Sequence, residues 1–151
     1  TPKFKERAIF LYSKEDQYRP EVQSFHKIVR KFKSKKKKLI IIKESNTKPG
    51  YLSQEYKRLK KKLKDFEAFQ VCQYNPHLGL IPIEISDIFP AAHHETSRIN
   101  YDPKEFGVFE KTWENFFKKN KFLEIHYNKE DEFLRYFVKT LPKEIKKKSF
   151  G

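Results

Sequence analysis

Sulfur is nearly missing from this sequence: among 151 residues there is one cysteine, Cys72, and no methionine. A lone cysteine excludes an intrachain disulfide framework and a cysteine-built zinc site, and it fits a reducing, intracellular setting. Long apolar runs are missing too. Ala8–Tyr12 and Leu39–Ile42 have the length of strands, far short of the ~20 apolar residues a bilayer-spanning helix needs. The basic start TPKFKER carries no hydrophobic region of the signal-peptide kind. A soluble, cytoplasmic protein with no membrane partner is the expectation. Negative charge is in deficit, with 20 Asp and Glu against 34 Lys and Arg, a formal net charge of +14. A balance that basic points to a polyanion, held through phosphate contacts and counterion release. A lysine-rich coat of no specific purpose is the ordinary alternative.

What is present is aromatic. Hydrophobic residues make up only 37% of the chain, but 15 of them are Phe, and each ring buries a large area. The length suits one domain, residues 1–151, with a single core and loose basic tails at 1–7 and 143–151.

Apolar runs at 8–12 and 39–42, with two weaker ones at 66–73 and 122–127, read as strands. Between them lie helical patterns. Val22, Phe25, Ile28, Val29 and Phe32 recur every three or four residues behind Pro20. Ser53 is placed to cap a helix bearing Tyr56, Leu59 and Leu63. Asp102-Pro103 opens a third helix with Phe106, Phe109, Trp113 and Phe116 on its buried side, and Asn128 is the expected cap of a fourth. Alternating strands and helices predict an α/β protein, a three-layer α/β/α arrangement around a mostly parallel four-stranded sheet.

The segment 75–98 stands apart. It holds three of the eight prolines (Pro76, Pro82 and Pro90), three of the five histidines, and few charges. Proline spacing argues against regular structure, apart from one short helix at 82–89, and Gly79 between Leu78 and Leu80 suits positive φ or close backbone approach. Ligands of such sheets sit beyond the carboxyl ends of the strands. The two segments that leave a strand for irregular chain, 43–52 and 74–98, are therefore expected side by side as the site.

The run HLGLIPIEISDIFPAAHHE resembles the signature of the central (DUF5591-type) domain of archaeosine synthase, the archaeal tRNA-modifying relative of tRNA-guanine transglycosylases. Leu78, Gly79, Leu80, Pro82, Glu84, Pro90, Ala91 and His93 carry the resemblance. An upstream motif of that family is kept at Lys48, Pro49 and Ser53. It departs at Gly50, where the family has Tyr, at Tyr56, where it has His, and at Glu44, where it has Cys. The resemblance spans about residues 8–127. It implies a uracil-DNA glycosylase-like fold and a role in converting 7-cyano-7-deazaguanine at tRNA position 15 into archaeosine. The chemistry would be lysine or amidine transfer, without a cofactor. Implied partners are tRNA and a separate tRNA-guanine transglycosylase, PUA-domain or radical-SAM protein.

On this reading Lys48, Glu84 and His93 are the catalytic candidates, with Lys48 as nucleophile or acid and His93 able to titrate near neutrality. Ser53, His77, Gly79, Pro82 and Glu95 are the substrate-binding candidates, a carboxylate such as Glu84 or Glu95 accepting from the paired N–H donors of a deazaguanine edge. Each has a plainer reading: a solvated lysine, hydrogen-bonding histidines, an N-cap at Ser53. No metal site is expected, because His93 and His94 are adjacent and point apart in regular structure, and no Asp/Cys cluster at ligand spacing accompanies them. Lys57, Lys60, Lys61 and Lys64, with Lys35 and Lys36, form the expected RNA footprint, although charged helix faces are ordinarily solvent faces. The competing functions are an enzyme, a non-catalytic tRNA-binding subunit, and, more distantly, a glycosylase-like protein, for which no strand-end Asp motif is visible.

Overall fold

A computed structural model describes residues 9–44, 48–96 and 101–150, with the side chains of 95 and 96 left outside the description. Seven strands occur among these residues: β1 (Ile9–Leu11), β2 (Lys38–Lys43), β3 (Phe69–Asn75), β4 (Gly79–Pro82), β5 (His94–Thr96), β6 (Glu124–Asn128) and β7 (Lys146–Phe150). Four α-helices accompany them: α1 (Pro20–Lys31), α2 (Gln54–Lys62), α3 (Gly107–Lys119) and α4 (Glu132–Val138). None of these helices is long and apolar enough to cross a membrane.

The main sheet has five strands in the order β4-β3-β2-β6-β7. β2 runs parallel to both β3 and β6, β6 runs parallel to β7, and β4 is antiparallel to β3. The expected four-stranded sheet is thus corrected in three places. β1 leaves it to pair with β5 in a separate two-stranded parallel sheet. The segment around Gly79, expected to be irregular, supplies β4. The expected basic tail supplies β7, whose Phe150 packs against the core around Ile40 and Ile42.

β2 lies at the centre because its sequence suits that place. Leu39, Ile40, Ile41 and Ile42 are all buried. Leu39 and Ile41 belong to the larger core with Phe25, Phe109, Trp113 and Phe137, while Ile40 and Ile42 meet Phe69, Val71 and the α2 residues Tyr56 and Leu59. A strand covered on both sides reads as an unbroken apolar run. The aromatic residues concentrate where α3 and α4 meet: Phe109 lies 4.7 Å from Phe137 and 5.0 Å from Phe133, centroid to centroid.

Helix ends follow local chemistry except where a distant group intervenes. Ser53 caps α2, its hydroxyl accepting from Tyr56 N at 3.2 Å. Asp102 caps only a 3-10 turn, Pro103–Glu105. α3 begins at Gly107, and its orphan Val108 N–H donates to the Gln17 amide oxygen at 3.1 Å. Asn128 does not cap α4 as expected. Its side chain accepts from Glu130 N at 2.9 Å, while Asp131 takes the cap position and accepts from Leu134 N at 3.0 Å.

Candidate functional site at the strand ends

β2 and β3 are parallel and in register from Lys38↔Phe69 to Lys43↔Tyr74, so their carboxyl ends emerge together. One residue further on, Glu44 and Asn75 come opposite each other. Asn75 Nδ2 donates to Glu44 Oε1 at 3.0 Å. The other end of that amide is fixed by the β3–β4 turn, where Asn75 Oδ1 accepts from His77 N at 2.8 Å and Leu78 N at 3.1 Å. A carboxamide locked by two backbone donors presents its N–H groups in one direction, toward Glu44.

His94 closes the cluster from β5. Its Nδ1 lies 2.9 Å from Pro90 O, and a carbonyl only accepts, so Nδ1 carries a proton. Its Nε2 lies 2.9 Å from Glu44 Oε2. Asn75 Nδ2 also lies 3.3 Å from His94 Nε2, so three polar side chains meet within one buried space. The expected meeting of 43–52 with 74–98 therefore takes place through Glu44, Asn75 and His94.

His77 lies beneath the same turn. Its Nε2 donates to Ser13 O at 2.8 Å, and the ring meets Tyr101 and Phe106 edge to face, each at 5.3 Å. Its Nδ1 is buried with no hydrogen-bond partner among the described residues. A proton there would be an unsatisfied donor. Burial pushes the His77 pKa below the usual histidine value, against the pull of Ser13 O and Asp16. His26, whose Nε2 donates to His77 O at 2.9 Å, is lowered by burial in the same way.

The catalytic candidates take separate partners. Glu84 is exposed, and its Oε1 accepts from Gln70 Nε2 at 2.8 Å. The half-buried His93 ring lies 6.3 Å from Phe89. Lys48 is half-buried, just before Pro49 in the loop leading to α2. Among the substrate-binding candidates, Ser53 and His77 are fully buried. Pro82 is buried opposite Cys72 in the β3–β4 ladder. Gly79 has φ +87°, and a Cβ there would come within 2.8 Å of Thr112 Oγ1 on α3, so its place is a close turn-to-helix contact. The backbone of Glu95 lies in β5, and its side chain lies outside the described residues. Cys72 is wholly buried, and desolvation pushes its thiol well above the usual range. Among the described residues no three His, Cys, Asp or Glu side chains are placed to hold a metal.

Lys57, Lys60, Lys61, Lys64 and Lys35 are exposed, whereas Lys36 is half-buried and its ammonium donates to Glu67 O. Neither Glu44 nor Asn75 was among the candidate site residues read from sequence; Glu44 stood out only as a departure from the upstream motif. The available signal was modest: each is a polar side chain where a β-rich run gives out. His94 was indistinguishable from His93, because only the packing of β5 decides which ring turns inward.

A family model described as a domain of unknown function, DUF5591, covers residues 22–149. No curated protein and no solved structure matches the chain. The matched span contains the whole Glu44–Asn75–His94 cluster and most of the fold around it, so the chain belongs to the DUF5591 family.

Proposed function

We propose that this chain is a tRNA-binding module of the archaeosine (7-deazaguanine) pathway, with a three-layer α/β/α, uracil-DNA glycosylase-like fold, working beside a separate catalytic protein. The carrying observation is the outer face of α2. Lys57, Lys60, Lys61 and Lys62 are all exposed there, and the helix's one ion pair among the described residues joins Arg58 to Glu55 at 3.7 Å. The remaining cations are left for an external anion. α2, capped by Ser53, is the next α-helix in the chain after β2 and Glu44. A cationic helix face is suited to gripping an RNA backbone by shape and charge. The signature at 77–95 supplies the pathway.

A second reading makes the chain an enzyme, with Lys48, Glu84 and His93 assisting lysine or amidine transfer to 7-cyano-7-deazaguanine at position 15. Lys48 in the strand-end loop favours it. The separate partners of Glu84 and His93 favour the binding module, as does Glu44, which stands at the family's Cys position with its carboxylate bound to His94 and Asn75.

The test is a titration with an archaeal tRNA transcript and with duplex DNA of equal length over a salt series. Preference for tRNA, with affinity falling steeply as salt rises, is the expected result. Equal and weak binding to both polymers would reduce the charge to a general surface property and end the proposal.

A further inference from the structure

A second concentration of positive charge lies away from α2, in the crevice between α1 and α3. The two helices pack together, and an open groove of about 510 Å³ between them is lined by Arg30, Lys111, Asn115, Lys118 and Lys119. Four of these five carry positive charge and none is acidic or apolar. Among the described residues none of the four cations lies within ion-pair distance of a carboxylate; Lys119 instead donates to Arg30 O at 2.9 Å, pinning the end of α1 to the end of α3. We propose that this groove is a binding site for the phosphodiester backbone of a nucleic acid strand, held by Arg30, Lys111 and Lys118 with the Asn115 amide as a neutral donor.

Helix-end electrostatics explain part of the arrangement and leave part over. Arg30 lies in the last turn of α1, and Lys118 and Lys119 in the last turn of α3, where cations complement the macrodipole. Lys111 lies two turns earlier and has no such reason to be there. It brings a fourth charge into the groove, and an anion bound there would relieve the mutual repulsion. Along α3, Lys111, Asn115 and Lys118 follow at four and three residues, on one face. At 1.5 Å per residue the row is about 10 Å long, close to the axial advance of three nucleotides of one strand at about 3.4 Å each. Single phosphate groups would leave most of that length unused. An acidic protein surface fits less well, since protein interfaces are anchored by buried aromatic or aliphatic side chains and no lining residue here is apolar.

The proposed RNA role supplies the identity of the polymer, and the groove supplies its own argument for phosphate. The test therefore uses the full chain in three forms: unaltered, Lys111→Glu/Lys118→Glu, and Lys60→Glu/Lys61→Glu. All four positions are exposed, and unchanged thermal unfolding serves as the folding control. Binding is measured with a tRNA transcript, inorganic tripolyphosphate and poly-glutamate over a salt series. The groove variant is expected to lose at least tenfold in tRNA affinity, and its plot of log affinity against log salt to be shallower by about two. If it binds tRNA as the unaltered chain does while the α2 variant is weakened, the groove proposal fails and the RNA role stands. If tRNA does not bind at all but tripolyphosphate does, in a Lys111- and Lys118-dependent way, the RNA role and the nucleic-acid proposal both fall and the groove takes a short polyphosphate instead. Poly-glutamate binding as tightly as tRNA, with the same dependence, overturns the proposal in favour of an acidic protein.

Discussion

His94 and Glu44 meet at 2.9 Å across the carboxyl ends of β2 and β3, with the imidazole wholly buried and the carboxylate side chain 13% exposed. Neither residue has a reason to be polar from its own sequence neighbours. Each satisfies the other, and Asn75 ties both to the β3–β4 turn.

This mutual dependence predicts an asymmetry between two substitutions. Glu44→Ala removes the carboxylate partner of His94 Nε2 and one acceptor of Asn75 Nδ2, and the loss of hydrogen bonding for buried polar groups costs about 1–3 kcal/mol. Glu44→Gln keeps an oxygen for Asn75 and offers an N–H to an unprotonated Nε2, so its cost is about 1 kcal/mol or less. Urea unfolding curves of the two variants measure the difference. Equal losses would show that the cluster contributes packing and not hydrogen bonding.

The two buried neutral histidines give the fold a pH dependence. Burial lowers the folded-state pKa of both His77 and His26 below the reference value of 6.5. The unfolded chain therefore takes up protons first as pH falls, so the stability is fully present above the unfolded value and is lost as pH falls toward the folded values. The slope reaches at most about 1.4 kcal/mol per pH unit for each histidine. Unfolding free energies measured from pH 7 to pH 5 should decline. His26→Gln, which can still donate to His77 O, should flatten the decline. An unchanged slope in that variant would remove His26 from the account.

Gly79 combines left-handed backbone with a close neighbour. A Cβ at this φ of +87° would meet Thr112 Oγ1 at 2.8 Å. Gly79→Ala should cost about 1–2 kcal/mol from the backbone alone, and more from the contact. Adding Thr112→Ala should recover the contact part and leave the backbone part, as thermal unfolding of the single and double variants would show. Full recovery in the double variant would mean that φ plays no role.

Lys48 separates the two functional readings. With a binding module, Lys48→Ala leaves tRNA affinity within about twofold, because one contact among many phosphate contacts is lost, and formation of modified base by the assembled pathway is unaffected. Loss of product with affinity unchanged would instead establish the catalytic reading.

The sequence by itself determined those elements whose signal is local. The apolar run of β2, the three-and-four spacing of α1, Ser53 before α2 and Gly79 at its turn all state their structure through neighbours a few residues away, and the structure keeps them. Only the tertiary structure decided what depends on distant partners. α3 starts at Gly107 because Gln17 supplies its cap. β4 is a strand because its edge position, paired on one side only, tolerates Pro82 at its end. β7 is ordered, despite Lys146, Lys147 and Lys148, because β6 leaves an edge to be paired and Phe150 finds the core. His94 and not His93 turns inward because β5 is fixed against β1. The strand-end cluster belongs to this second class. Asn75 and His94 lie on two strands and Glu44 just past the end of a third, and a polar residue at a strand end has no signature until the register that opposes it to another is set.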